Sequence, residues 1–283
     1  MTPNLTRKDV RKNLWIFLSV CLPISWIAMA IYYVRTPENG FDSIGYGMMM
    51  LSMYMPAIAA IVTCKITKEE IGTLQLFPRF RGNGKVYALA IGLGVFLCLI
   101  TDVLTLVFYP EVKQLSDTAM PNMIFMILLY VAMGTVMCIA SLGEEIGWMG
   151  YLFPALEKLH GTGLALVLTG VIRGLWHSVM LFAGTDFKTG MEGLVYMCIS
   201  NILLGGGLVL LTKLSRSVVP AAICHALTNS VPSATMAYFV IDETAYQANE
   251  AGLNVLDLST SFLVCVICYV ILRKRFKVEK LPK

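Results

Sequence analysis

Residues 122–148 of the chain read NMIFMILLYVAMGTVMCIASLGEEIGW. The part Asn122–Gly143 is an apolar run, and a helix needs about 20 such residues to cross a bilayer. The run ends in two adjacent carboxylates, Glu144 and Glu145, with Trp148 close behind them. Carboxylates are expensive at hydrocarbon depth, so they face a bundle interior or a wet cavity and are functional candidates by default. The stretch therefore predicts a membrane-spanning helix that carries a functional site.

Seven more apolar runs flank this one in the sequence. They are Leu14–Val34, Ile44–Cys64, Val86–Tyr109, Gly163–Phe182, Met191–Leu211, Val218–Val240 and Leu258–Leu272. The chain is 57% hydrophobic and 14% charged, with a mean hydropathy of +0.72, which is outside the range of soluble domains. We predict an all-α polytopic membrane protein with about eight transmembrane helices. Residues 1–283 would form a single integral-membrane domain, with a catalytic core at about residues 122–240.

Lysine and arginine are concentrated on one predicted side of the membrane, which holds 18 of the 22 basic residues. They are Arg7, Lys8, Arg11, Lys12, Lys65, Lys68, Arg79, Arg81, Lys85, Lys158, Lys213, Arg216, Arg273, Lys274, Arg275, Lys277, Lys280 and Lys283. Because basic loops are retained in the cytoplasm, we predict a multi-pass protein of the cell membrane with both termini cytoplasmic. The basic excess is a topology signal, and it does not support a nucleic-acid partner.

Two further polar pairs lie inside apolar spans, Arg173-x-x-x-His177 and His225-x-x-x-Asn229. Residues four apart share one face of a helix. Arg173 and His177 should therefore point the same way, and so should His225 and Asn229. Neighbouring residues lie about 100° apart, so the two adjacent glutamates should have different roles.

These side chains suffice for hydrolysis of an amide bond without a covalent nucleophile. A glutamate that faces a cavity can take a proton from water, and a nearby histidine can share or relay that proton. A second histidine and an asparagine amide can donate hydrogen bonds to the oxyanion of a tetrahedral intermediate.

The order of these motifs resembles that of the CPBP family of intramembrane endopeptidases. The motifs are Glu144-Glu145-x-x-Trp148, Leu175-Trp176-His177 and His225-Ala226-x-x-Asn229. The family includes the CAAX prenyl proteases and bacterial proteins linked to bacteriocin processing and immunity. The resemblance covers roughly Leu142–Asn229. It implies that Glu144 and His177 activate water, that Glu145 belongs to the catalytic set, and that His225 and Asn229 form the oxyanion site.

The chain departs from the family pattern at two positions. The family usually has an arginine four residues after the second glutamate, where this chain has Met149. It usually has an aromatic residue four before the histidine, where this chain has Arg173. We predict that Arg173 supplies the missing cation from a neighbouring helix and pairs with Glu145. The alternative is that Arg173 reaches a backbone carbonyl or a lipid headgroup. Trp148 is expected to pack or to line the pocket.

A mechanism without a cofactor is favoured, because the chain has no H-E-x-x-H sequence. Zinc remains possible, and its ligands would then be Glu144, His177 and His225. The expected partners are the lipid bilayer and a peptide or protein substrate, with a lipidated or membrane-bound substrate as one option. The sequence predicts a cavity that faces the cytoplasm.

Two other functional classes stay open. A catalytically inactive scaffold or bacteriocin-immunity protein would keep the fold while tolerating a degraded motif, and Met149 is its best support. A proton-coupled transporter would also use intramembrane Glu, His and Arg. The lack of an internal repeat weakens the transporter hypothesis.

Three local features are also predicted. The segment Trp148–His160 should be a short amphipathic connector near the cytoplasmic interface, with Pro154 in its first turn. Gly205–Gly207 should interrupt the sixth span, and the small residues there should permit close helix approach. At 1.5 Å per residue, His177 lies about 21 Å along its span and His225 about 12 Å along its own. The two histidines can meet only if the helices tilt, bend or begin at different depths.

Overall fold

The computed structural model describes residues 5–36, 42–115, 123–183, 189–236 and 239–276. Its helices are α1 (Arg7–Arg35), α2 (Ser43–Thr67), α3 (Gly84–Phe108), α4 (Met123–Gly147), α5 (Phe153–His160), α6 (Thr162–Trp176), α7 (Ser178–Ala183), α8 (Gly190–Ser215), α9 (Val219–Met236) and α10 (Glu243–Arg275). A 3-10 turn, Ile71–Leu74, follows α2, and a π-helical turn, Trp148–Leu152, joins α4 to α5. Asn122 and the lysines Lys277, Lys280 and Lys283 lie outside the described residues.

Each predicted apolar run forms mainly helix where the structure describes it, and the run Val218–Val240 ends in a strand. Six stretches in that part of the chain are long and apolar enough to cross a membrane: α1, α2, α3, α6 with α7, α8 and α10. Helices α4 and α9 cover the other two predicted spans with 25 and 18 residues. The all-α polytopic membrane architecture is thus confirmed. A short antiparallel ribbon of β1 (Lys113–Leu115) and β2 (Phe239–Ile241) was not expected from the sequence.

Hydrogen bonds between distant segments define the two ends of the bundle. At one end Asn13 Nδ2 donates to Glu69 Oε1 at 2.8 Å, and Asn83 Nδ2 donates to the carbonyl oxygen of Ser215 at 3.2 Å. We call this the terminal end, because α1 begins there and α10 ends there. The other end carries the ribbon, which ties the segment after α3 to the segment before α10. We call it the ribbon end.

Glycines let α4 and α6, which carry two of the polar motifs, approach their neighbours closely. A Cβ atom on Gly147 of α4 would lie 2.3 Å from the Cβ of Pro56 in α2. A Cβ on Gly174 of α6 would lie 2.7 Å from the Cα of Cys198 in α8. Both distances are far below van der Waals contact, so each position accepts only a hydrogen atom. These contacts fix how α4 and α6 sit around the site.

The connector after α4 is buried in the core and does not form an exposed amphipathic strip. All five residues of the π-helical turn are buried. The ring centroid of Phe17 in α1 lies 6.1 Å from that of Trp148 and 5.2 Å from that of Tyr151. The large apolar side chains of the turn pack against α1, while Lys158 and His160 lie in the last turn of α5. The position of the connector near the cytoplasmic interface stays a prediction. Pro154 does lie in the first turn of α5, as expected.

The predicted break at Gly205–Gly207 is wrong, because α8 is continuous from Gly190 to Ser215. Tertiary packing outweighs the weak helix propensity of glycine in such a buried position. The absence of side chains is used instead for close approach to α10. A Cβ on Gly206 would lie 3.2 Å from the Cα of Cys265.

The fifth predicted span is interrupted at His177, between α6 and α7. The amide N–H of His177 donates to the carbonyl of Gly174 at 3.1 Å, which is a tighter turn than that of an α-helix. Helix α7 then restarts with Leu181 N donating to His177 O at 3.2 Å. His177 is therefore presented at a break in the helix.

Candidate active site

Three helices bring four polar side chains together. Helix α4 supplies Glu144 and Glu145, α6 supplies Arg173 and α9 supplies His225. The Nη2 atom of Arg173 lies 3.1 Å from Glu145 Oε1 and 3.4 Å from Glu144 Oε2. His225 Nδ1 lies 2.9 Å from Glu145 Oε1. The predicted pairing of Arg173 with Glu145 is confirmed, and the guanidinium is held by carboxylates within the bundle.

The two glutamates have different surroundings, as their helical positions predicted. The side chain of Glu145 is fully buried and lies between Arg173 and His225. Glu144 is 3% exposed and lines the central cavity. Glu145 is thus placed to hold its neighbours, while Glu144 is placed to meet a ligand in the cavity.

Arg173 is 1% exposed and carries a charge that it cannot lose. Such a charge is tolerated in a membrane interior only when anions or polar acceptors surround it. Besides the two carboxylates, Nη2 lies 3.1 Å from His225 Nδ1 and 3.0 Å from His225 Nε2. One guanidinium nitrogen therefore contacts all three neighbouring functional side chains.

The two ring nitrogens of His225 contact three polar side chains. Nδ1 lies 2.9 Å from Glu145 Oε1 and 3.1 Å from Arg173 Nη2. Nε2 lies 3.0 Å from Arg173 Nη2 and 3.2 Å from Asn229 Nδ2. Because the guanidinium of Arg173 and the Nδ2 amide of Asn229 can only donate, they are the donors at this corner of the cavity.

The site opens on a cavity of about 650 Å³. It is lined by Leu97, Cys98, Thr101, Asp102, Glu144, Arg173, His177, Met180, Tyr196, Met197, Ser200, Asn201, Leu204, His225, Thr228, Asn229, Asp257 and Ser261. The lining residues of α3 come from its second half, and four of the five from α8 come from its first half, so the cavity lies toward the ribbon end. The cytoplasm-facing cavity and the cytoplasmic termini both stay predictions, and with the termini in the cytoplasm this end of the bundle would lie on the other side.

His177 and Asn229 reach the same cavity by different routes. Asn229 is exposed on the face of α9 that also carries His225, as the spacing predicted. His177 lines the cavity, but its contacts include no hydrogen bond to Glu144, and its Nδ1 atom is buried without a partner among the described residues. Arg173 is thus the residue of α6 that meets the glutamates and His225. His177 and His225 both line the cavity although they lie at different distances along their helices, so the arrangement does not require direct contact between them.

The two tryptophans of the motifs form a wall behind the site. Trp148 and Trp176 are buried, with ring centroids 6.0 Å apart in an edge-to-face arrangement. Trp176 in turn packs edge-to-face on the ring of His177, with the centroids 4.7 Å apart. The predicted packing role of Trp148 is confirmed. Trp148 supports Trp176, and Trp176 packs on His177 on the side away from the cavity.

A second polar group lies at the far end of the cavity. Asp102 forms an ion pair with Lys113 of the ribbon. Asp257 of α10 accepts hydrogen bonds from Tyr196 and from Thr101. The pair of Asp102 with Lys113 ties α3 to the ribbon. Tyr196 and Asp257 were missed, because neither stands in a motif that the sequence pattern could single out.

The fit of a metal ion can be tested on the donor atoms present. Ligand atoms of Glu144, Glu145 and His225 all lie within 4.8 Å of one another, a spacing that could serve an ion. The Nη2 atom of Arg173 already contacts each of these three side chains. A dication at the same place would stand against a fixed positive charge, so a metal does not fit this arrangement. His177, which the sequence offered as a ligand, is not part of this cluster.

Residues 124–231 match the family model described as Type II CAAX prenyl endopeptidase Rce1-like. This segment contains Glu144, Glu145, Arg173, His177, His225 and Asn229. By this match the segment is similar to the Rce1-like CAAX prenyl endopeptidases. A CAAX prenyl protease 2 from Methanococcus maripaludis is 23% identical to the chain over 142 residues, which cover 50% of each protein. The match thus spans about half the length of that curated relative.

The matched segment does not line the whole cavity. Asp102 and Asp257 line it and lie outside residues 124–231. Helix α3, before the segment, and helix α10, after it, therefore complete the cavity. The matched segment supplies the proposed chemistry, and the rest of the chain shapes the space in front of it.

Proposed function

We propose that this protein is an intramembrane endopeptidase that hydrolyses a peptide bond in or beside the membrane. The observation that carries the proposal is the common cavity: Glu144, His177, His225 and Asn229 all line it, between helices that are long and apolar enough to span a bilayer. The match of residues 124–231 to the CAAX protease family supports the same conclusion.

Glu144 is the proposed general base. A water molecule held between Glu144 and His177 attacks the carbonyl carbon of the scissile bond, and its proton passes to Glu144. When the tetrahedral intermediate collapses, the C–N bond breaks and the proton passes to the leaving nitrogen. The products are a carboxylic acid and an amine. No residue forms a covalent bond to the substrate.

The oxyanion is stabilised from the opposite corner of the cavity. The Nδ2 amide of Asn229 can donate to it directly. His225 holds that amide through Nε2 at 3.2 Å and is itself fixed by Glu145 at 2.9 Å. Preorganised donors of this kind are often the largest single contribution to catalysis. Glu145 acts through its neighbours, because its side chain is fully buried.

The substrate class follows from the surroundings of the cavity. A peptide or protein segment must enter between membrane-spanning helices, so a membrane-bound or lipidated substrate fits best. The proposed location is the cell membrane, with both termini cytoplasmic. Such an orientation places the cavity toward the outer half of the bilayer.

The test is cleavage of a peptide library by purified protein in detergent, with Glu144→Gln beside the wild type. Loss of a general base costs on the order of 100-fold or more in rate, so we expect products from the wild type and near-background cleavage from Glu144→Gln. Glu70→Gln is the matched control, because Glu70 is exposed at the terminal end, away from the cavity. Equal cleavage by the wild type and by Glu144→Gln would contradict the assignment of Glu144 as the general base.

A non-catalytic scaffold or immunity protein is the second candidate. The observation in its favour is that Arg173 contacts both carboxylates while Met149 replaces the usual arginine. Under this hypothesis Glu144→Gln and His177→Ala would leave the cellular phenotype of the protein intact. Under the peptidase hypothesis both substitutions would abolish it.

A further inference from the structure

We propose that the guanidinium of Arg173 occupies the place of a metal ion. It supplies the fixed positive charge of the site and excludes divalent cations. Removal of this guanidinium would turn Glu144, Glu145 and His225 into a divalent-metal site. The inference concerns ion binding and stands whether or not the protein cleaves peptides.

The three side chains around Arg173 are a usable ligand set. Two carboxylates and one imidazole are common ligands of Zn²⁺, which binds such oxygens and nitrogens at about 2.0–2.2 Å. Their donor atoms all lie within 4.8 Å of one another. Small side-chain movements would bring them onto one ion, and an open fourth position would remain toward the cavity that Glu144 lines.

The centre of this set is taken by one atom. Arg173 Nη2 lies 3.4 Å from Glu144 Oε2, 3.1 Å from Glu145 Oε1 and 3.0 Å from His225 Nε2. No other nitrogen or oxygen of the described residues contacts all three side chains. The nitrogen therefore stands at the point from which an ion would reach its ligands.

Charge explains why the guanidinium and an ion exclude each other. Arg173 is 1% exposed and cannot lose its proton, so it cannot make room for a dication by becoming neutral. The two glutamates carry up to two negative charges, and the guanidinium already compensates one of them.

The ligands themselves also point to a cation. Both carboxylates and the ring nitrogens of His225 face Arg173, which can only donate. A neutral side chain in its place would leave two buried carboxylates uncompensated in the bundle. A free dication is then the available replacement for the lost charge.

The experiment is a titration of metal-free purified protein in detergent with Co²⁺, whose visible absorption reports tetrahedral coordination. We expect no stoichiometric Co²⁺ on the wild type and one equivalent on Arg173→Ala. Arg173→Met is the second neutral variant, and it keeps more of the side-chain volume. Arg173→Lys keeps the charge and should bind no Co²⁺. Arg79→Ala, which removes an exposed arginine away from the site, is the matched control and should behave as the wild type does.

Two further arms locate the ion. Adding Glu144→Gln or His225→Ala to Arg173→Ala should abolish Co²⁺ binding. Added guanidinium ion should displace Co²⁺ from Arg173→Ala, since it can refill the vacated place. Folding of every variant is checked by helical circular dichroism and monodisperse elution.

Two results would overturn the proposal. One is a single equivalent of Co²⁺ on the wild type that disappears with Glu144→Gln, because the ion and Arg173 would then coexist. The other is folded Arg173→Ala or Arg173→Met protein that binds no Co²⁺. If neither variant folds, the wild-type titration decides, and a Glu144-dependent equivalent there is enough to reject the idea.

Discussion

Arg173 shows how one side chain can organise a site through a single atom. Its Nη2 atom serves three partners, whereas Nε and Nη1 are buried without partners among the described residues. A buried donor that lacks an acceptor costs about 1–3 kcal/mol. The arrangement is therefore held together by the charges of Glu144 and Glu145 more than by satisfied hydrogen bonds. Changes that touch this charge balance should have the largest effects in the molecule.

The idea that Arg173 replaces the cation usually found at position 149 can be tested through the free energy of unfolding of variants. Arg173→Phe restores the usual aromatic residue but leaves two buried carboxylates without their cation, which typically costs about 3–5 kcal/mol. Met149 is 2% exposed and follows Glu145 by four residues. Adding Met149→Arg should therefore recover a large part of the lost free energy of unfolding, measured in mixed micelles.

The control for that series is Arg35→Ala, which breaks an exposed ion pair with Asp42 at 2.8 Å. Exposed pairs contribute little, so its free energy of unfolding should stay close to that of the wild type. If the double variant of Arg173 and Met149 is no more stable than Arg173→Phe alone, the two positions do not exchange a cation.

Sequence reasoning reached this pair but not its full set of contacts. Two departures from one family pattern, Met149 and Arg173, explained each other once they were placed on neighbouring helices. The contact of Arg173 with His225 was missed, because spacing along a helix fixes a face but not the height of one helix against another. The contact between Tyr196 and Asp257 was also missed, because it too depends on how high one helix lies against another.

At the level of elements, glycines decide how closely the helices of the site can approach. Gly147 lies against Pro56 of α2, a short distance after Glu145 in α4. Gly174 lies against Cys198 of α8, directly after Arg173 in α6. Each glycine therefore sits beside the side chain that its helix contributes. Helix packing and side-chain placement are coupled at these two points.

Gly147→Ala should destabilise the protein and impair its proposed activity. Its new Cβ would lie 2.3 Å from Pro56 Cβ and 2.6 Å from the backbone carbonyl of Pro56. Overpacking of this kind costs about 1–3 kcal/mol, and the shift of α4 would move Glu144. Unfolding in mixed micelles and peptide cleavage are the two measurements.

Gly92→Ala in α3 is the matched control, because a Cβ added there would have no atom within 4 Å of it. Alanine at this position should be neutral or should stabilise the helix by up to about 1 kcal/mol. Equal stability of the Gly147 and Gly92 variants would show that the close approach of α4 to α2 is not needed.

In the whole molecule, the cavity lies closer to the ribbon end than to the terminal end. The terminal end gathers the hydrogen bonds of Asn13 with Glu69 and of Asn83 with Ser215. The cavity lies toward the ribbon, where Lys113 pairs with Asp102. The helical class and the polytopic architecture could be predicted, since the runs are long and apolar. The ribbon could not, because strands of three residues carry no usable pattern.

The orientation in the membrane can be tested by labelling with a membrane-impermeant thiol reagent. Val240 of the ribbon is 60% exposed, and Arg79 lies in an exposed loop at the terminal end. We expect Val240→Cys to react in intact cells and Arg79→Cys to react only after permeabilisation. The wild type, with its own eight cysteines, gives the background. The opposite labelling pattern would place both termini outside the cytoplasm.

The ion contact between Glu144 and Arg173 joins residues 29 positions apart in the chain. During synthesis, α4 leaves the ribosome before α6 does, so its two carboxylates exist for a time without their cation. At about 5–20 residues per second, the delay lasts a few seconds. The fourth span should therefore remain at the insertion machinery, or at the lipid headgroups, until the arginine emerges. Both helices would then enter the bilayer as a pair, which makes biogenesis of this protein sensitive to the length of chain between them.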